Sequence, residues 1–447
     1  MLFAAYMATS GVDAAGGAEF AGAEPHFLIA AESLADGGDL DLADEYAERR
    51  DELRSEGESG ATRRDELRGE PGATRRDSLR TDGRVVAGRL VEPHGIGFPL
   101  LIAPAYELGG DGLVVAMLAA AAALAFVLAA ALARRVVPDP WATWAALLAG
   151  LSPPVVADAT AVLPALTAGA LLAGASLCAL AVRERPLMRS AYGGAALLAL
   201  LPWLDPWLLV PAAPITVALA HWASRRGRAL VALGTVEVQI ASLVFYVSLN
   251  DRLYGGFTPL AVADAPVTGA SAPGDYLERL PRLAGLFVDR DAGLLRWAPV
   301  MALAFLGVWL LARSRRERLA RLVAERRDAE HAAFLAFAVC AAQVAVAAFA
   351  SRTLEGPWFP GTQLVPALPC AVQLVAWGLR HAPRAGWALG ALSLATSFWL
   401  ALTAQWAPPE SDAPWGPLVV AFPVVAAPAV VAWLGALWWR ERRELRH

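Results

Sequence analysis

Residues 113–133 read LVVAMLAAAAALAFVLAAALA, an apolar run without a single charge. A helix of that length crosses about 30 Å of hydrocarbon. A helix apolar on every face has no place on the surface of a water-soluble domain. Residues 416–439 (GPLVVAFPVVAAPAVVAWLGALWW) repeat the pattern, and further apolar runs lie between the two. With 57% of the chain hydrophobic, the sequence predicts an all-α polytopic membrane protein.

Arginine marks one end of each predicted span. The chain has no lysine, and its Arg clusters fall at Arg134–Arg135, Arg183–Arg189, Arg225–Arg228, Arg313–Arg327, Arg380–Arg384 and Arg440–Arg446. Cytoplasmic loops carry the excess of Lys and Arg, so these ends are assigned to the cytoplasm. The other connectors are rich in Pro, Trp, Asp and Gly: 152–160, 203–206, 250–292, 351–360 and 405–415. Alternating between the two kinds gives about eleven transmembrane helices. They fall near 113–133, 141–157, 161–182, 190–204, 206–222, 229–249, 293–312, 331–350, 361–379, 385–404 and 416–439. The basic tail 440–447 is then cytoplasmic, 113–439 forms the membrane domain with an external loop at 250–292, and residues 1–112 lie outside. Residues 1–8 (MLFAAYMA) are apolar but too short to span. A first helix is therefore expected upstream, unless 113–133 inserts unaided with its N-terminal end out.

The region before residue 113 has three parts. Residues 26–35 (HFLIAAESLA) put Phe27, Leu28, Ala31 and Leu34 on one helical face, which predicts a helix lying in the membrane interface. Residues 49–84 hold an imperfect repeat beginning RRDELR, RRDELR and RRDSLR; it is charged, Gly-rich and unable to bury a core, so it reads as a mobile loop or irregular helix. Residues 92–107 (EPHGIGFPLLIAPAYE) are apolar but punctuated by Gly95, Gly97, Pro99 and Pro104. This predicts a broken re-entrant or interfacial helix, covered by protein or lining a cavity.

Polar groups predicted at the outer boundary include Glu24, His26, Glu92, His94, Asp158, Asp205, Arg290 and Gln363, with Trp203, Trp207 and Trp358 among them. Carboxylates at a membrane boundary are costly unless solvated or paired. Together with cations and aromatic faces they make a site for a sugar on a lipid phosphate: a carboxylate takes a hydroxyl proton, and Arg or His steadies a phosphate. The alternative is an ordinary set of loop residues with an interfacial Trp belt. Each residue carries both readings. Glu24 is a general base or the acid favoured at a helix N-terminus, with Pro25 at the first helical position. His26 orients that base or is an interfacial aromatic. His94 lines a cavity or caps a broken helix. Asp205 binds substrate or forms a turn before Pro206. Arg290 pairs with phosphate or with Asp289 and Asp291. Trp358 and Gln363 shape a sugar pocket or are a belt Trp and a helix-start residue.

Several classes have no support. There is no GxxxxGK loop for an ATP-driven pump. Cys178, Cys340 and Cys370 lie in apolar runs with no metal spacing. Nucleic acid is not an expected partner, since Arg sits at helix ends rather than on one soluble face.

One resemblance organises these residues. Ala23-Glu24-Pro25-His26-Phe27 followed by GGDLDLADEY (37–46) resembles the first external loop of bacterial GT-C-type membrane glycosyltransferases, the family 39-like enzymes related to protein O-mannosyltransferases and aminoarabinose transferases. EPHGIGFPLLIAPAY (92–106), LPWLDPWLLVPAAP (201–214), NDRLYGGFTP (250–259), DRDAGLLRWAPV (289–300) and GPWFPGTQLVPALP (356–369) resemble further family segments in the same order. The resemblance implies a many-helix fold whose external loops form the active site. It implies inverting transfer of a sugar from a polyprenyl-phosphate-linked donor to a glycan, lipid or protein acceptor, with Glu24 as base and Asp158 in reserve. It also implies a multi-pass protein of the cell membrane with its active face extracytoplasmic. No cofactor is expected, with a divalent metal left open. The family acids expected at 23 and 165 are Ala23 and Ala165 here, and Thr362-Gln363 stands where relatives carry Arg with His or Tyr. These departures keep a catalytically silent relative in view, binding a lipid-linked sugar or a partner. A transporter or flippase would need a polar route through the middle, including Glu237. An enzyme would gather Glu24, His94 and Asp205 around one outer cavity.

Overall fold

The computed structural model describes residues 1–12, 22–36, 38, 41–47, 84–86, 88–185, 187–225, 227–263, 268–270, 272–289, 293–318, 327–351, 354, 359–403 and 406. The charged repeat, Arg290, Trp358, the expected span 416–439 and the basic tail lie outside these residues. What is described is an all-α protein with one short two-stranded ribbon. Seven of its helices are long and apolar enough to cross a membrane: Gly97–Ala133, Ala165–Glu184, Pro206–Arg225, Ala229–Val262, Ala329–Phe349, Thr362–His381 and Pro383–Leu402. Pro299–Arg313 is a shorter apolar helix at the expected span 293–312, and the helix Met188–Leu204 lies at the expected span 190–204.

Two expected elements come out differently. The span 141–157 is two helices, Trp141–Gly150 and Pro153–Thr160, parted at Leu151–Ser152. Pro153 and Pro154 lack N–H donors and belong in a first helical turn, so they start a helix rather than continue one. The break expected within 92–107 also moves. Gly97 to Leu108 is continuous helix, with Pro99 in its first turn and Pro104 inside it. The chain bends instead at Gly109 and Gly110, where Gly110 has φ +62°. Only glycine takes that backbone region without steric cost.

The core is built from Ala, Gly, Leu and Val on the faces of Gly97–Ala133, Ala165–Glu184, Met188–Leu204, Leu368–His381 and their neighbours. Small side chains let helices approach closely where lipid offers no hydrophobic gain for association. Gly307 abuts the Leu374 backbone while Gly378 abuts the Leu303 backbone, a reciprocal contact between Ala302–Arg318 and Leu368–His381. Leu2–Ala8 also docks on this core, with Tyr6 fully buried and its hydroxyl donating to the Gly150 carbonyl at 2.8 Å.

Following the helices end to end sorts the charges. Arg135 pairs with Glu184 where Gly97–Ala133 and Ala165–Glu184 finish, and Arg134 bonds Asp139 at 2.6 Å beside them. Glu24, His94, Asp158 and Asp205 all fall at the opposite end, where those two helices begin and Met188–Leu204 finishes.

Candidate carboxylate and histidine site

The helix Glu24–Asp36 packs on the protein through its apolar face. Phe27, Leu28 and Ala31 enter the main core against Gly97–Ala133, while Ile29 packs with Leu42 and Tyr46 on the other side. Residues 41–46 are tied into the fold beside it. Asp41 Oδ1 accepts from the Leu90 N–H at 2.9 Å and the Ala43 N–H at 3.2 Å, and the Leu42 N–H donates to the Leu90 carbonyl at 3.1 Å. This ties residues 41–47 to the ribbon Arg84–Val86/Arg89–Val91 and sets Tyr46 over Glu92.

Two groups of titratable side chains result. In the first, Glu24 and Asp158, each only 2% exposed, lie near enough for the Glu24 charge to act on Asp158. Glu24 Oε1 accepts from the Val162 N–H at 2.7 Å. Asp158 stands on Pro153–Thr160, and neither of its oxygens has a well-formed hydrogen bond among the described residues. Burial pushes the Asp158 carboxyl well above the usual carboxylate range; the neighbouring Glu24 charge adds to this, and the Leu166 backbone N–H counters part of it.

In the second group, Glu92 is 6% exposed and central. The Tyr46 hydroxyl donates to Oε1 at 2.6 Å, His26 Nδ1 lies 3.1 Å from Oε2, and His94 Nε2 lies 3.7 Å from the same oxygen. His26 Nδ1 also bonds the Tyr46 hydroxyl oxygen. Tyr46 has one proton and gives it to Glu92, so its oxygen accepts from His26, which places the His26 proton on Nδ1. The His26 and His94 rings stack at 5.5 Å, and Phe27 packs on His94 at 5.2 Å. Burial pushes the Glu92 carboxyl up. The His26 hydrogen bond and charge, the Tyr46 hydrogen bond and the His94 charge outweigh it and hold the group below its ordinary value. A cavity of about 30 Å³ opens beside this cluster, lined by His26, Glu92, His94, Pro99 and Tyr254 among others. It has room for water or one small polar group.

The expected convergence of Glu24, His94 and Asp205 is thus met only in part. All three occupy one end of the bundle, but of the three only His94 lines the cavity. Asp205 behaves as the turn residue: its Oδ1 accepts from the Trp207 N–H at 2.8 Å at the start of Pro206–Leu208. Burial pushes its carboxyl up, and that N–H holds it partly down. Gly97 seats the histidine loop against this turn, since a Cβ there would overlap the Trp203 carbonyl. Gln363 lies in the turn Thr362–Ala367, which packs on Pro153–Thr160, and its carbonyl accepts from Gln343 Nε2 at 2.7 Å. Arg290 and Trp358 lie outside the described residues. Among the described residues no three His, Cys, Asp or Glu side chains are set to hold a metal ion. Glu237, the mid-span acid a transporter would need in its path, points outward from the bundle.

Sequence reasoning passed over Tyr46 and counted Glu92 only among the outer-boundary polar groups, with no role of its own. A signal for Glu92 was present: the tripeptide Glu-Pro-His occurs at 24–26 and again at 92–94, and the two copies meet through their histidines. Fold and site define a helical membrane-type protein with buried acids and stacked histidines at one end. No family model, no curated protein and no solved structure matches the chain.

Proposed function

We propose that the chain is a membrane glycosyltransferase that moves a sugar from a polyprenyl-phosphate-linked donor to an extracytoplasmic acceptor, with Glu24 as general base. The observation that carries this reading is the buried Glu24–Asp158 pair, assembled from distant parts of the chain at the same end as His26 and His94. Burial pushes the Asp158 carboxyl up, so of the two acids Glu24 is the one assigned to take the proton. The acceptor hydroxyl oxygen bonds the anomeric carbon as the bond from that carbon to the phosphate oxygen breaks, inverting the centre. The hydroxyl proton passes to Glu24, and the lipid phosphate departs toward His94. The present cavity is too small for a sugar, so donor binding has to part Glu24–Asp36 from the loop at 92–97. The eleven-helix topology, with Arg ends cytoplasmic, belongs to the same proposal.

A second reading is a silent relative that binds a lipid-linked sugar or a partner. It is favoured by one observation: neither Glu24 nor Asp158 lines the cavity. Transfer of radiolabelled sugar from polyprenyl-phosphate donors in proteoliposomes separates the two. Glu24→Gln is expected to cut transfer by about 100-fold or more while donor binding persists. Transfer that survives Glu24→Gln but dies in Glu92→Gln moves the base to the cavity carboxylate. Donor binding without transfer by the unaltered chain establishes the silent relative.

A further inference from the structure

The helix Ala229–Tyr254 carries an outward seam with an acid in its middle. Its inner side is occupied: Gln239 Nε2 donates to the Thr235 carbonyl, Gln239 Oε1 accepts from Thr216, and Ser242 joins Trp203 to the Ala199 carbonyl. The opposite side exposes Leu230, Leu233, Ile240 and Val244, with Glu237 among them. The spacing 230, 233, 237, 240, 244 alternates three and four, the seam by which one helix packs knobs into holes of another, and a single polar residue in such a seam sets register and partner.

Glu237 stands eight residues beyond Ala229, about 12 Å along the axis at 1.5 Å per residue. That is close to the middle of a hydrocarbon layer about 30 Å thick. Its side chain is too short to reach either interface, and no hydrogen bond or ion pair meets it among the described residues. An acid at that depth facing lipid is costly, and such groups face protein or pair.

We propose that this seam docks a transmembrane helix of a different polypeptide that carries Arg or Lys at the depth of Glu237. Charge complementarity selects this occupant. Every apolar run of this chain long enough to span, 416–439 included, holds Arg or His only near its ends, as with His221, Arg296 and His331. Neither a second copy of residues 1–447 nor another span within them brings a cation to mid-depth. The inference does not depend on the glycosyl-transfer reading.

The test is site-specific photo-cross-linking of the full chain in the membranes of its native host, with a photoreactive residue at position 233 or 240. The expected result is one discrete protein adduct whose spanning helix has a central Arg or Lys. Glu237→Leu should reduce that adduct about tenfold, the scale of one interhelical polar contact. Exchanging the charges, with Glu237→Arg here and the partner's cation made acidic, should restore it. Because Glu237 holds nothing within the described chain, the purified Glu237→Leu protein should melt no lower than the unaltered one. Lipid adducts alone, an adduct at twice the mass of the chain, an adduct that persists in Glu237→Leu, or a partner without a mid-span cation would each overturn the proposal.

Discussion

At the scale of single residues, Glu92 decides how the histidine site behaves. A buried carboxylate is tolerable only when its oxygens are bonded or its charge is met, and here the Tyr46 hydroxyl bonds Oε1 while His26 Nδ1 stands 3.1 Å from Oε2. Its folded pKa lies below the ordinary 4.5. The sign follows: the ionised group stabilises the fold fully above that ordinary value, and the contribution is lost as pH falls from there through the lowered one. Glu92→Gln is expected to cost about 1–3 kcal/mol near neutral pH by breaking this network. The gap to the parent should narrow steadily below the ordinary 4.5. Thermal unfolding in detergent across that range checks it, and a gap independent of pH would show that Glu92 acts by packing alone. The repeated Glu-Pro-His made half of this cluster legible. Tyr46 was not legible, because nothing local in DLDLADEY says that its hydroxyl reaches 46 residues along the chain. The approach of Glu24 to the segment 158–162 was hidden for the same reason: Glu24 and Asp158 were each candidates, but contact between distant segments, here Glu24 Oε1 with the Val162 N–H, leaves no local pattern.

At the scale of elements, the apolar runs announced most helices, and local rules mis-set their breaks. Proline inside a run was read as a stop, yet Pro104 is accommodated within Gly97–Ala133, as membrane-spanning helices often allow. The Gly109–Gly110 pair, which does bend the chain, lay just beyond the punctuated segment. Two prolines in tandem at 153 and 154 were the signal that 141–157 could not be one helix. Glycine's second role, close approach, depends on the partner helix and was not legible at all. It is testable by contrast. Gly378→Ala puts a Cβ against the Leu303 backbone, which cannot swing aside as a side chain would. The expected cost is about 1–3 kcal/mol of overpacking. Gly193→Ala, in Met188–Leu204, meets nothing within 4 Å and should be neutral or stabilising by up to about 1 kcal/mol. Melting temperatures of the two purified variants decide it; equal shifts would mean that the Ala302–Arg318 and Leu368–His381 contact is looser than drawn.

At the scale of the whole molecule, the segregation of charge is the property on which any function of the acidic end depends. Arg134, Arg135, Arg183, Arg225 and Arg228 gather at one end of the helices, while the buried acids Glu24, Glu92, Asp158 and Asp205, with His26 and His94, gather at the other. Arg in short loops is retained on the cytoplasmic side, so the acidic end is expected to face outward, where a sugar on a lipid phosphate would be presented. Asp251 and Ser224 are both exposed and close the two opposite ends. A membrane-impermeant thiol reagent applied to intact cells should therefore label Asp251→Cys and leave Ser224→Cys untouched until the membrane is opened. The parent chain sets the baseline, since Cys370 is buried and Cys178 and Cys340 are half-buried within apolar helices. The reverse pattern would turn the carboxylate and histidine site to the cytoplasm. Any acceptor outside the cell would then be out of reach of Glu24, whatever its chemistry.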